Sequence, residues 1–180
     1  MHNVANALAA AGAALQAGAD LTAIATGLGA LAPVDGRGNW SAGLGGAQII
    51  DDAYNANPAS VIAAIDLLAS LDGRRVLALG DMGELGEWAE QSHREVGEHA
   101  RKAGLVDALY ATGRLSALAV DALASRAACS IAARRVAALA PTLDANTRVL
   151  VKGSRSAGMD TVVAGLLAPA DAHNNDNGAS

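Results

Sequence analysis

Polar side chains crowd one short stretch of this 180-residue chain. From Ile49 to Leu68 it reads IIDDAYNANPASVIAAIDLL, an apolar run, then Asp51, Asp52, Tyr54, Asn55 and Asn57, then a helical pattern. A strand-to-helix turn needs only a few small residues. Asn57 fits an N-cap and Pro58 the first helical position. That leaves the two acids, Tyr54 and Asn55 without a local reason. The acids are either solvated loop residues or a ligand site, with Asp52 accepting from a hydroxyl pair or lying near a metal-bound phosphate.

Two further turns have the same character. In ALGDMGELGEW, Asp81 directly follows an apolar run. Gly83 and Gly86 permit an unusual backbone path, and Glu84 and Glu87 precede a helix, where first-turn acids interact favourably with the helix dipole. His93, inside that helix, reads as a packed or capping side chain. In VLVKGSRSAGMD, Lys152 is one of only two lysines. With Ser154 and Arg155 around Gly153 it makes a candidate anion pocket. The other lysine, Lys102, lies among charges and reads as solvated. Arg37, between glycines in VDGRGN, is either solvated or reaches a phosphate from a linker. No G-x-x-x-x-G-K-[ST] occurs, nor G-x-G-x-x-G after a strand, which argues against a self-contained ATPase or a nicotinamide dehydrogenase.

The elements that must hold these turns alternate. Apolar residues at helical spacing predict helices over residues 2–17 and 21–31, the second capped by Asp20 and stopped by Pro33. The Gly-rich VDGRGNWSAGLGGAQ reads as a loop or loose hairpin. Strands AQIIDD, RRVLALGD, VDALYAT, a weak AACSIA and TRVLVKG alternate with helices 58–69, 87–103, 115–125, 134–140 and 159–167. The expected class is α/β, a Rossmann-like, mostly parallel sheet with helices on both faces, spanning residues 33–169. In such sheets ligands bind at the carboxyl ends of the strands, where all three polar turns fall. Residues 1–32 have no sheet of their own and are expected to belong to a truncated preceding domain. Residues 170–180, with His173, read as a disordered polar tail.

Bulk properties narrow the classes. A net charge of −5 disfavours nucleic acid as a main partner. One cysteine, Cys129, excludes an internal disulfide, fits a cytoplasmic location and reads as inert packing. No apolar stretch is long enough for a membrane span, and the start lacks the basic region of a secretory signal.

HNVANALAA, GRG, IIDDAYNANP, LGDMGELG, SHREVG and VLVKGSR, in this order, resemble the Mur ligase family from His2 to about Leu167. They are most similar to the branch that adds D-alanyl-D-alanine to UDP-N-acetylmuramoyl-tripeptide in peptidoglycan synthesis. The D-N-P-R motif of a related branch is missing. The resemblance implies three domains, ATP and Mg2+ as cofactors, and an acyl phosphate that an incoming amine attacks. It implies that residues 1–32 end the central ATP-binding domain and that 33–169 form the C-terminal domain. His2, Asn3 and Asn6 match a motif whose asparagines lie near adenine. Arg37 matches a hinge arginine that reaches phosphate, and Asp52 an acid at the ribose and hinge. Tyr54, Asn55 and Asn57 complete that turn, and Asp81, Glu84, Lys152, Ser154 and Arg155 lie on the side expected to face the acceptor dipeptide. Ala53 stands where serine is common and Asp160 where glutamate is.

The same resemblance places the phosphate loop and metal ligands outside these residues, so the chain alone is expected to be inactive. A non-catalytic Rossmann-like module binding a nucleotide, a peptide or another protein is the alternative. A folate-polyglutamating ligase of the same superfamily would share the fold but not DDAYNANP.

Overall fold

A computed structural model describes residues 2–31, 34–102, 104, 106–124, 131–133 and 138–168. The chain divides into two compact units, Met1–Val34 and Asp35–Ser180.

The first unit is a helix pair, α1 (His2–Gln16) and α2 (Leu21–Gly29). Asp20 caps α2 by accepting from the Ala23 N–H at 2.7 Å. The helices stop one and two residues before the expected ends. Gly18, with φ +91°, closes α1, and the glycine-bearing end of α2 is a weak helix former. None of α2 is buried, and Val4, Leu8, Leu15 and Leu21 are exposed.

The second unit is a six-stranded sheet in the order β1-β2-β6-β3-β4-β5. Its strands are β1 (Asn39–Ala42), β2 (Gln48–Asp52), β3 (Arg74–Leu79), β4 (Ala108–Ala111), β5 (Ile131–Ala133) and β6 (Thr147–Lys152). Among the described residues only β1 runs antiparallel, placing Trp40 opposite Ile50 at the edge; every other neighbouring pair of described strands is parallel. The Gly-rich stretch is therefore a hairpin, the second of its two expected readings. Three of the four residues of β1 are exposed, so it carries little apolar signal.

The helices are α3 (Pro58–Ala69), α4 (Ala89–Lys102), α5 (Ser116–Ala124) and α6 (Met159–Leu166). Helix α4 starts two residues later than expected, because Gly86–Trp88 forms a separate 3-10 turn after the left-handed Glu84 and Gly86. Of the expected helix 134–140, residues 134–137 lie outside the described residues. The nearest described element is a 3-10 turn at Ala140–Thr142. Cys129, the tail with His173, and residues 127–130 of the weak strand also lie outside the described residues.

Strand alternation separates two cores. Ile50, Leu77, Leu79, Leu109 and Leu150 face α3, α4 and α5, while Ile49, Val76, Tyr110, Val149 and Val151 face α6 and Leu139. Each fully buried large aliphatic contributes about 1.5–3 kcal/mol relative to exposure. The sheet is thus covered on both faces, as the near-continuous apolar strands require.

This arrangement makes β6 the key strand. Its helix packs on one face, while the helices following its neighbours β2 and β3 pack on the other. The chain therefore departs in opposite directions on either side of the β6 end, which is how crevices open in such sheets.

Candidate functional site at the carboxyl end of the sheet

Register places Asp52 beside Lys152 across β2 and β6. The Lys152 Nζ lies 2.5 Å from Asp52 Oδ2 and donates to the Asn55 carbonyl at 3.0 Å. Its side chain is 3% exposed and that of Asp52 is 30% exposed. Removing such an ammonium from water is costly without good partners, and these two supply them. Lys152 is thus tied to the first polar turn, which the anion-pocket grouping with Ser154 and Arg155 did not anticipate. It holds one carboxylate oxygen of Asp52 and leaves the other directed by a fixed partner.

The adjacent acid, Asp51, is used locally. Its Oδ1 accepts from Ala53 N at 3.1 Å and its Oδ2 from Gly36 N at 3.2 Å. Tyr54 N donates to Gly36 O at 3.0 Å, so the segment carrying Arg37 is fastened to the end of β2. Gly36 has φ +72°, and a Cβ there would lie 2.8 Å from Tyr54 N, so the close approach needs glycine. The Arg37 guanidinium then sits 4.3 Å from the Tyr54 ring centroid, both side chains exposed. Cation–π stacking of this kind holds a guanidinium while leaving its donors open. Asn57 and Ser60 form a reciprocal capping box at the start of α3, which accounts for Asn57 structurally. Asn55 Oδ1 accepts from Ala56 N.

On the other side of β6, Asp81 is gripped from two directions. Its Oδ1 accepts from Ser116 N at 2.7 Å, and its carbonyl accepts from Ser154 N at 2.9 Å. A Cβ at Gly113 would overlap the Asp81 carboxylate, so glycine admits the acid against the end of β4. Ser154 is buried, with its Oγ 3.1 Å from Ser156 Oγ. A cavity of about 290 Å³ lies here, lined by Asp81, Thr112, Gly113, Ser156 and Ala157. Glu84 is exposed with φ +59°, the one described non-glycine residue with positive φ. Such a conformation costs on the order of 1–3 kcal/mol and collects at functional turns. Among the described residues neither Glu84 nor the exposed Arg155 has a polar partner.

The buried His93 bonds through both ring nitrogens to backbone, Nε2 to Met82 N at 2.9 Å and Nδ1 to Ala89 O at 2.6 Å. It is a buried histidine whose two ring nitrogens are both engaged by backbone. Asn3 and Asn6 lie on α1 in the other unit, with Asn6 exposed.

Within the second unit, then, Arg37, Asp52, Tyr54, Asn55, Asp81, Glu84, Lys152, Ser154 and Arg155 all come to one end of the sheet. Sequence reasoning missed Thr112, Gly113, Ser116 and Ser156. The signal for the first two was available, since Thr112 ends a predicted strand and Gly113 follows it at the same end. Charges at the opposite end are closed on themselves. Arg75 binds Asp107 through Nε at 3.0 Å and Nη2 at 3.1 Å. Burial raises the Asp107 pKa, but hydrogen bonds from the Arg75 side chain and backbone, with the charges of Arg75 and Arg74, lower it more. The same hydrogen bond raises that of Arg75.

Known proteins agree on one grouping. The family described as Mur ligase, glutamate ligase domain, matches residues 36–155. The UDP-N-acetylmuramoyl-tripeptide--D-alanyl-D-alanine ligase of Escherichia coli (strain K12) is 41% identical over 178 residues, covering 92% of this chain and 37% of that protein. The ligase of the same name from Haemophilus influenzae is 38% identical, with the same shares covered. A crystal structure of MurF from Acinetobacter baumannii superposes with a TM-score of 0.75 at 32% identity, over 91% of this chain and 37% of that one. MurF ligase from Thermotoga maritima in complex with ADP gives 0.61 at 26% identity, over 76% of this chain and 31% of that one. The chain thus spans about a third of the length of these relatives.

Proposed function

This chain belongs to the Mur ligase family, and from that premise we propose that it carries the C-terminal domain of a cytoplasmic, ATP-dependent ligase joining D-alanyl-D-alanine to UDP-N-acetylmuramoyl-tripeptide in peptidoglycan synthesis. Residues 33–169 are that domain, and residues 1–32 are the last helices of the central ATP-binding domain. The observation that carries the reading is the identity to named ligases of this activity along nearly the whole chain. The cluster of polar strand ends supports it.

In such a reaction the tripeptide carboxylate takes the terminal phosphoryl group of ATP. The dipeptide amine then attacks the acyl carbon, inorganic phosphate leaves, and the amine gives up a proton. Arg37, stacked on Tyr54, presents its free donors to phosphate oxygens. Asp52, fixed through Lys152, accepts from the ribose hydroxyl pair. Asn3 and Asn6 approach the adenine. The acceptor dipeptide is a zwitterion and needs a cation for its carboxylate and an anion for its ammonium. Arg155 supplies the first, and Asp81 and Glu84 the second, around Ser154. Lys152 serves this site through Asp52 and Asn55. Among the described residues no group of three or more His, Cys, Asp or Glu side chains could hold a magnesium ion.

Two measurements test the reading. In NMR titrations of the labelled chain, D-alanyl-D-alanine is expected to shift Asp81, Glu84, Ser154 and Arg155, while L-alanyl-L-alanine does not. No response on a folded spectrum, or an equal response to both, overturns the acceptor assignment. Given ATP, magnesium, tripeptide substrate and dipeptide, the 180 residues alone should release no phosphate, because they hold no phosphate loop to neutralise the nucleotide. Clear release above background contradicts this.

A further inference from the structure

We propose that His93 is a positioning residue, whose Nε2 holds the backbone at Met82 and so sets the path of the chain from Asp81 to Glu84. The use of that path for the acceptor dipeptide rests on the function proposed above; the positioning itself does not.

The argument starts from donor and acceptor identity. The Ala89 carbonyl can only accept, so the Nδ1 facing it carries the hydrogen. The Met82 N–H can only donate, so the Nε2 facing it is bare. The ring is fully buried, and both nitrogens are engaged by backbone groups from two different segments, the first turn of α4 and the loop after β3. A histidine that only filled space would not need both bonds.

The consequence falls on the loop. Met82 is 2% exposed, so its N–H has no access to water and depends on Nε2. Just before it, Asp81 is held by Ser116 and Ser154. Just after it come Gly83 and the left-handed Glu84, which has no polar partner among the described residues. Met82 is thus the last fixed point before the strained residue. If the bond is lost, a buried N–H is left unsatisfied, and the cheapest remedy is for the 82–84 backbone to turn outward and hydrate it. That movement would carry Glu84 away from Asp81 and relax its conformation.

The first test needs no variant. In the 15N-labelled chain His93 should show a protonated Nδ1 and a bare Nε2, the reverse of the tautomer that a free histidine side chain prefers in water. A scalar coupling through the hydrogen bond should connect Met82 N to His93 Nε2. A protonated Nε2, or no coupling, overturns the proposal.

Two substitutions separate positioning from packing. His93→Gln places an amide oxygen near the Nε2 position and can still accept from Met82. His93→Asn reaches only the Nδ1 position and can still donate to Ala89. Amide exchange at Met82 should rise about tenfold or more in His93→Asn, with shifted Asp81 and Glu84 signals, and stay within about threefold of the parent in His93→Gln. Equal behaviour of the two variants, or undisturbed Asp81 and Glu84 signals in His93→Asn, assigns the ring to packing and overturns the proposal. A D-alanyl-D-alanine titration of the parent chain reads the other question. If it fails while the coupling is present, the acceptor assignment falls and the positioning role stands.

Discussion

The two ends of the sheet handle charge differently. At the amino end, Arg75 grips Asp107 in a two-pronged pair, and Arg74 donates to the Thr142 carbonyl at 2.7 Å. These groups use planar fork geometry and satisfy one another near the surface. At the carboxyl end, Lys152 is sealed in and shared between Asp52 and a backbone carbonyl, Asp81 is committed through one oxygen, and Glu84 and Arg155 stand exposed. The amino end is organised to hold strands together. The carboxyl end retains donors and acceptors beyond those the fold consumes, and it does so around the one left-handed non-glycine residue described. An excess of fixed but unspent polar valence is what distinguishes a binding end from a structural one.

The contrast can be broken most severely at the buried pair. Asp52→Asn would leave the Lys152 ammonium buried without a counter-charge, and should lower stability by about 3–5 kcal/mol in urea unfolding. Adding Lys152→Met to that variant should recover part of the loss. A cost below about 1 kcal/mol for Asp52→Asn would mean that the lysine reaches water and that the pair is not what fixes Asp52.

A smaller effect of opposite sign is expected at Glu84. Because its backbone sits at φ +59°, Glu84→Gly should raise stability by about 1 kcal/mol through relief of strain while weakening the response to D-alanyl-D-alanine. A loss of stability would show that the glutamate side chain supports the turn. Unchanged dipeptide binding would remove Glu84 from the site.

The smallest effect belongs to the amino end. The Asp107 carboxyl lies below its ordinary pKa in the folded chain, so its contribution is fully present above the unfolded value of about 4 and is lost as pH falls through the folded value. Its side chain is 40% exposed, so Asp107→Asn should cost no more than about 1 kcal/mol at neutral pH. The variant should also lose part of the acid limb of the stability profile below pH 4. Identical acid limbs in parent and variant would show that the pair is not coupled to folding.

Much of this was legible before any coordinates. The α/β class, the strand and helix order and the capping residues Asp20 and Asn57 are written in short-range periodicity and in side chains that reach three residues away. The polar turns stood out because a connection of that kind needs none of their chemistry. What failed had local causes too. The hairpin of β1 and β2 could not be told from a loop, because β1 is nearly all exposed and lacks alternation, and the start of α4 was obscured by a left-handed turn that sequence pattern does not encode. Within the polar turns, residue type alone did not separate Asp51, spent on its own turn, from Asp52, held by a lysine 100 positions away.

Sequence by itself determined the elements, their caps, the amino acids available at each strand end and the family to which the chain belongs. Those depend on contacts within a turn or two, or on the order of short motifs. Only the tertiary structure decided that β6 lies between β2 and β3, and with it that Lys152 belongs to Asp52, that Ser116 and Ser154 grip Asp81, and that Arg37 rests on Tyr54. Strand order and register choose these partners. They are set by burying two apolar faces at once, a condition that no single segment of the chain contains.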